Sequence, residues 1–214
     1  MAPRSPAGPA VALLIRHGTT ATTGKLLPGR APGLHLSDTG RRQANRAAER
    51  IAALQKPPTA VYASPLERTV ETARPIAKAI GCRVRTERGL LECDVGQWTG
   101  ARLSTLRRRR EWRAVIGTPS TFRFPGGESF AEMQLRMTST LDRLAERHAG
   151  ERIVVVSHAD CIKAAVAATA GVPMDLFQRL VVSPCSVTAL VRGAGAMHVL
   201  CVNATASLSE LVLS

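Results

Sequence analysis

Apolar residues occur along this chain in short unbroken runs, and these alternate with longer stretches where they return every three or four positions. Val11–Ile15, Ala60–Ala63 and Ile153–Val156 are runs of the first kind, the pattern of strands buried on both faces. Further strands are predicted over Cys82–Arg85, Ser186–Arg192 and Ala196–Asn203, the last two as a closing pair around Gly193, Ala194 and Gly195. Helical spacing of Ala44, Ala47, Ala48, Ile51 and Leu54 predicts a helix that opens at Ser37-Asp38-Thr39-Gly40 and stops before Pro57-Pro58. Ser64-Pro65, read as an N-cap followed by proline at the first helical position, predicts a second helix to about Ile80, ended by Gly81. Three more are predicted: Leu103–Val115, a long one from about Ser129 to His148, and one from about Asp160 to Ala170. The glycines and prolines of residues 18–36 and the stretch 89–100 predict loops.

Strands alternating with helices predict the α/β class, with a mostly parallel sheet in an α/β/α sandwich of three layers. The 214 residues suit one compact domain. Residues 1–9 are Pro-rich and read as a flexible tail, which leaves 10–214 as the domain. No apolar run approaches the roughly 20 residues that cross a bilayer, so no membrane partner is expected. Ala10–Ile15 is too short for a signal-peptide core and lacks a cleavage site, which makes a cytoplasmic location the expectation. Five cysteines without CxxC spacing suggest neither a zinc site nor a disulfide framework.

The formal charge of +13 raises nucleic acid as a partner. Twenty-five of the 29 basic residues are arginines scattered along the chain, a pattern closer to compositional bias than to a binding stripe. The one cluster, Arg107 to Arg110 with Arg113, reads as a solvated helix face or as a site drawing anionic ligands. Aromatic content of 3% offers few platforms for base stacking, so nucleic acid is not the expected partner.

Candidate chemistry begins with two histidines in matching positions. His17 follows Leu13-Leu14-Ile15-Arg16, and His158 follows Val154-Val155-Val156-Ser157. Ligands of open α/β sheets bind at the carboxyl ends of parallel strands, so adjacent strands would bring these two rings together. Arg68 falls in the first turn of the helix after Ser64-Pro65, where the helix dipole disfavours a cation unless an anion is bound. Glu92 lies in a loop with Gly96, Trp98 and Gly100, a setting that suits a shifted carboxyl pKa. Each alone is an ordinary loop or surface residue. Together with Arg16 they make two imidazoles, two guanidiniums and a carboxylic acid, and guanidinium forks match phosphoryl oxygens.

Leu-Ile-Arg16-His17-Gly18, Ser64-Pro65-Leu66-x-Arg68-Thr69, Glu92-x-x-x-Gly96-x-Trp98-x-Gly100, Pro125-Gly126-Gly127-Glu128-Ser129 and Val156-Ser157-His158 stand in the order seen in the histidine phosphatase superfamily. The chain resembles its phosphoglycerate-mutase-like branch, which holds cofactor-independent small-molecule phosphatases, α-ribazole phosphatases among them. The resemblance implies a small helical insertion over the site, about residues 93–130, facing the substrate. It implies hydrolysis of a small-molecule phosphomonoester through a phosphohistidine on His17, with Arg16, Arg68 and a protonated His158 clamping the phosphoryl oxygens. Glu92 would be the general acid and base, and Thr23, Arg30, Ala159 and Glu128 would complete the phosphate-binding set. No metal and no cofactor are implied, because the Arg/His clamp supplies the positive charge. A homodimer is compatible with the resemblance.

Departures fall around this core. Thr19 and Thr23 stand where many members carry an acid or amide and an asparagine, and Ala159 replaces the glycine after the second histidine. Asp160 reads as a helix cap or a residue orienting His158. Substrate selectivity is expected from Trp98, Arg107–Arg113, Phe122-Arg123-Phe124 and Glu128-Ser129. Two alternatives accompany the phosphatase reading. A phosphoglycerate-type mutase would need closing structure, for which the end Ser207–Ser214 supplies little material; a non-catalytic, nucleic-acid-binding scaffold would draw on the +13 charge.

Overall fold

The apolar side chains of the central strands have a layer to enter on either side, because helices cover both faces of the sheet. In the computed structural model, which describes residues 8–193 and 195–206, β1 (Ala10–Arg16) lies inside a six-stranded sheet. Its Ala12 and Leu14 enter one core while Leu13 and Ile15 enter the other. Strands β3 (Ala60–Ala63) and β6 (Arg152–Ser157) alternate in the same way: Tyr62 and Val155 point to one side, Val61 and Val154 to the other. This double burial explains why their sequences read as continuous apolar runs.

With β4 (Val84–Thr86), β7 (Val187–Arg192) and β8 (Met197–Ala204), the strand order is β4-β3-β6-β1-β7-β8. β4, β3, β6 and β1 run parallel, and β7 is antiparallel to both of its neighbours. Helices α1 (Asp38–Ala52) and α2 (Glu67–Ala79) cover one face through Ala44, Ala48, Ile51, Ala73 and Ile76. On the other face lie α5 (Phe130–Arg147) and α6 (Ala159–Ala170), which contribute Met133, Met137, Leu141 and Ile162. The fold is the expected α/β sandwich of three layers. Chain leaving β1 turns to the α1 face and chain leaving β6 turns to the α6 face, so a crevice opens between these adjacent strands at their carboxyl ends.

Local differences from the sequence reading have identifiable causes. The helix expected over Leu103–Val115 is two short ones, α3 (Leu103–Leu106) and α4 (Trp112–Gly117), with the arginine run in the turn between them. Leu106 and Val115 are both buried in the same core. On one continuous helix, residues nine apart face opposite ways, so the chain must turn to bury both. Ser64 does not cap α2, whose N-cap is Leu66 without a side-chain bond. The Ser64 N–H instead extends the ladder to the Val156 carbonyl. The loop over residues 18–36 contains β2 (Leu26–Leu27), paired with β5 (Ala101–Arg102), an element too short to carry a readable alternation. Ser37 and Ser129 are N-caps as expected, the latter with a reciprocal capping box to Glu132. Residues 1–7 of the expected tail and the end Ser207–Ser214 lie outside the described residues. Among the described residues, no helix is long and apolar enough to cross a membrane.

Candidate active site

The parallel ladder between β1 and β6 continues one step past the strands, with the His17 N–H donating to the Ser157 carbonyl at 3.0 Å. That bond sets the two following loops side by side. The imidazoles of His17 and His158 consequently stand 5.3 Å apart, centroid to centroid, edge to face. His17 Nδ1 lies 2.8 Å from the Gly18 carbonyl, so it carries the proton and leaves Nε2 with a free lone pair. The loop under this ring is tightly packed. The Gly18 N–H donates to Thr72 Oγ1, and a Cβ on Gly40 would sit 2.1 Å from the Thr19 carbonyl oxygen, which only glycine tolerates. Burial and the Arg68 and Arg16 guanidiniums lower the His17 pKa to about 3, so its ring is neutral across the physiological range.

His158 is fully buried, with Nε2 3.0 Å from Ser64 Oγ and Nδ1 3.6 Å from Glu92 Oε2. Ser64 thus holds the second histidine, a role its sequence position after β3 did not reveal. Burial and the nearby Arg68 push the His158 pKa well down. The cation expected there is therefore a neutral ring in the free protein, because solvation is lost and like charges adjoin it.

Arg68 is wholly buried in the first turn of α2 and donates one bond, from Nη2 to the Gly29 carbonyl at 2.8 Å. Arg16 gives Nη1 to the Val182 carbonyl at 2.7 Å. Among the described residues, four buried side-chain nitrogens have no hydrogen-bond partner: Arg16 Nε, Arg68 Nε, Arg68 Nη1 and His158 Nδ1. Leaving such groups unsatisfied is costly, more so when they are charged. Their grouping around His17 is what an oxyanion ligand would satisfy.

Glu92 has 18% of its side chain exposed, and its carboxylate accepts from the Cys93 N–H at 2.9 Å. Burial, then the Asp160 charge, raises its pKa to about 7, against the opposing pull of Arg68. The loop that presents it is clamped from behind. Arg136 of α5 donates Nη1 to the Gly89 and Leu91 carbonyls at 2.8 Å, and pairs through Nε and Nη2 with Glu128. Arg30 donates Nε to the Glu92 carbonyl at 2.8 Å and pairs through Nη2 with Glu128 at 2.9 Å. Arg30 and Glu128, expected among the phosphate ligands, are thus bound to the back of the Glu92 loop, where opposite charges satisfy each other. The sequence reading passed over Arg136, which is one more arginine on a long helix until the fold places it. Replacing it with methionine removes the bidentate partner of Glu128, which keeps Arg30, and the Arg136 donors to the Gly89 and Leu91 carbonyls, and is expected to destabilise the fold by roughly 2–3 kcal/mol in urea titration.

The remaining expected residues separate into two groups. Arg16, His17, Thr23, Glu92 and Ala159 line an open cleft, and Arg68 and His158 are wholly buried beside His17. Thr23 Oγ1 accepts from the Thr20 N–H, and Ala159 begins α6, whose first amides have no partner within the helix. Of the arginine cluster, only Arg107 reaches the cleft, while Arg109 lies over the Trp98 ring at 5.8 Å. Trp98, Phe122 and Phe124, expected to face substrate, pack together at centroid distances of 5.0–5.7 Å; Trp98 and Phe122 are buried in the core of the 93–130 segment, and Phe124 also borders a neighbouring cavity. Asp160 neither caps α6 nor touches His158; it pairs with Lys163 at 3.5 Å. Lys163, Gln178 and Arg179 also line the cleft, and no local motif marked them in the sequence. Among the described residues, no cluster of three or more His, Cys, Asp or Glu side chains is arranged to hold a metal ion.

Comparison with known proteins places this arrangement among relatives. The sequence pattern of the histidine phosphatase superfamily (branch 1) matches residues 12–205. The chain is 36% identical over 155 residues to phosphoglycerate mutase-like protein 4 of Arabidopsis thaliana, spanning 71% of this chain and 67% of that one. It is 32% identical over 154 residues to phosphoserine phosphatase 1 of Hydrogenobacter thermophilus, spanning 70% and 72%. A solved mycobacterial glucosyl-3-phosphoglycerate phosphatase superposes with a TM-score of 0.80 at 26% identity, covering 93% of this chain and 100% of that one.

Proposed function

From the premise that this chain belongs to branch 1 of the histidine phosphatase superfamily, we propose that it is a phosphatase hydrolysing a small-molecule phosphomonoester through a phosphohistidine on His17. The observation that carries this reading is the group of unpartnered buried guanidinium N–H groups of Arg16 and Arg68, with the unpartnered His158 Nδ1, around a neutral His17. A phosphoryl group offers these donors three oxygens and the negative charge that the buried guanidiniums lack.

In the first half-reaction, His17 Nε2 attacks phosphorus in line as the P–O bond to the alcohol breaks. The guanidiniums neutralise the equatorial oxygens, and Glu92 in its acid form donates a proton to the departing oxygen. The incoming dianion favours a proton on His158, reversing the balance that keeps the free ring neutral. In the second half-reaction, Glu92 takes a proton from water as its oxygen attacks the phosphohistidine. The N–P bond then breaks, His17 returns neutral and inorganic phosphate leaves. Thr23 and Ala159 lie at the cleft to add donors to the phosphate, whereas Arg30 and Glu128 hold the Glu92 loop.

Phosphate release should be measured across a panel of metabolite phosphates with and without EDTA, alongside phosphoglycerate mutase turnover. The expected result is release that the chelator leaves unchanged and that exceeds mutase turnover. Re-transfer to a second phosphoglycerate as the faster outcome would make the chain a mutase. Salt-sensitive nucleic-acid binding without any hydrolysis would overturn the enzymatic reading.

A further inference from the structure

The cleft beside His17, about 470 Å³, does not end at its outer wall. A second chamber of about 560 Å³ adjoins it, and Leu27, Leu103, Arg107, Lys163, Gln178 and Arg179 border both. The junction is polar: Lys163 Nζ lies 3.1 Å from Gln178 Oε1 and 3.5 Å from Asp160. Beyond it the floor is apolar, made by Trp112, Ile116 and Phe124, and Ile116 keeps 51% of its surface exposed. A concave space with an apolar floor and a few polar groups at its edge, set beside the cleft that holds the reactive atoms, is the form of a ligand pocket. A phosphoryl group and two or three carbons would occupy only the first chamber.

Resting on the phosphatase reading, we infer that the second chamber receives the far end of the leaving group. The substrate is then the phosphomonoester of an amphiphilic alcohol, polar next to the phosphate and apolar or aromatic at its other end. The polar portion meets Lys163, Gln178 and Arg179, and the apolar end covers Ile116 and Trp112.

The test compares kcat/KM for glycerol phosphate and for its hexyl ether, which differ in the portion that would enter the second chamber. Burying several methylenes should favour the ether by about tenfold or more, chiefly through KM. Ile116→Asp should remove that preference and leave glycerol phosphate turnover where it was, and Ile116→Leu should retain it. Equal kcat/KM for the two esters would overturn the second-chamber assignment alone, as would an Ile116→Asp variant that slows both equally. Release of phosphate from other members of the metabolite panel with neither glycerol ester hydrolysed would overturn this assignment alone, whereas no release from any ester would sink the phosphatase reading and this one with it.

Discussion

His17→Ala should abolish turnover, with kcat/KM falling by about 10⁴-fold or more, because it removes the Nε2 lone pair proposed to capture phosphorus. The decisive companion measurement is covalent. After mixing with a phosphomonoester and quenching in alkali, the unsubstituted protein should retain an alkali-stable, acid-labile phosphoryl group that the variant lacks. Retention of the label in the variant would move the nucleophile elsewhere. The variant also carries a stability signature. The folded pKa of His17, about 3, lies below the ordinary 6.5, so the unfolded chain binds the extra proton as pH falls below that value. This contribution favours folding near neutrality and is lost progressively toward pH 3. Thermal melts from pH 7.5 to pH 5 should therefore show a shallower loss for His17→Ala than for the unsubstituted protein.

Glu92→Gln should slow hydrolysis by about 10²- to 10³-fold for esters of alkyl alcohols, which need a proton as they depart. For p-nitrophenyl phosphate, whose leaving group needs none, formation of the phosphohistidine should be far less affected. Its breakdown should be slow, because the base for water is gone. A pre-steady-state burst of nitrophenol followed by a slow steady rate is the expected trace. Equal slowing of the burst and of alkyl ester hydrolysis would count against a general acid at this position. In the unsubstituted protein, leaving-group protonation should decline as pH rises through about 7, where Glu92 loses its proton.

The same shift makes a stability prediction of opposite sign to that of His17. The folded pKa of Glu92 lies above the ordinary 4.5, so its contribution is fully present below that value and is lost as pH climbs through about 7. Gln, which cannot ionise, should stabilise the fold relative to Glu at pH 8.5 by on the order of 1–3 kcal/mol and should make little difference at pH 4. Calorimetry at the two pH values checks it.

The layered fold was legible because its signals are local and repeated. Val11–Ile15 and Ile153–Val156 announce doubly buried strands, and Ser37, Ser129 and Gly171 punctuate helices through short-range bonds. Arg16, His17, Arg68, Glu92 and His158 could be singled out because each follows a strand end or sits in a loop of distinctive composition. What went astray depended on long-range competition. Leu103–Val115 reads as one helix, but Leu106 and Val115 would face opposite ways on it, and their shared core demands that the chain turn between them. Ser64 has the sequence of a cap, but its hydroxyl lies against a histidine 94 residues away.

Periodicity and short motifs therefore determined the layers of this protein and the residue types of its candidate chemistry, since both are written in neighbours along the chain. Tertiary structure alone decided which charges face the cleft. Arg30, Arg136 and Glu128 neutralise one another behind the Glu92 loop, while Arg16 and Arg68 keep donors unpaired. That division turns on ångström separations between side chains distant in the chain, as with Arg30 and Glu128, 2.9 Å apart across 98 residues. A sequence lists charges but not the distances that pair them.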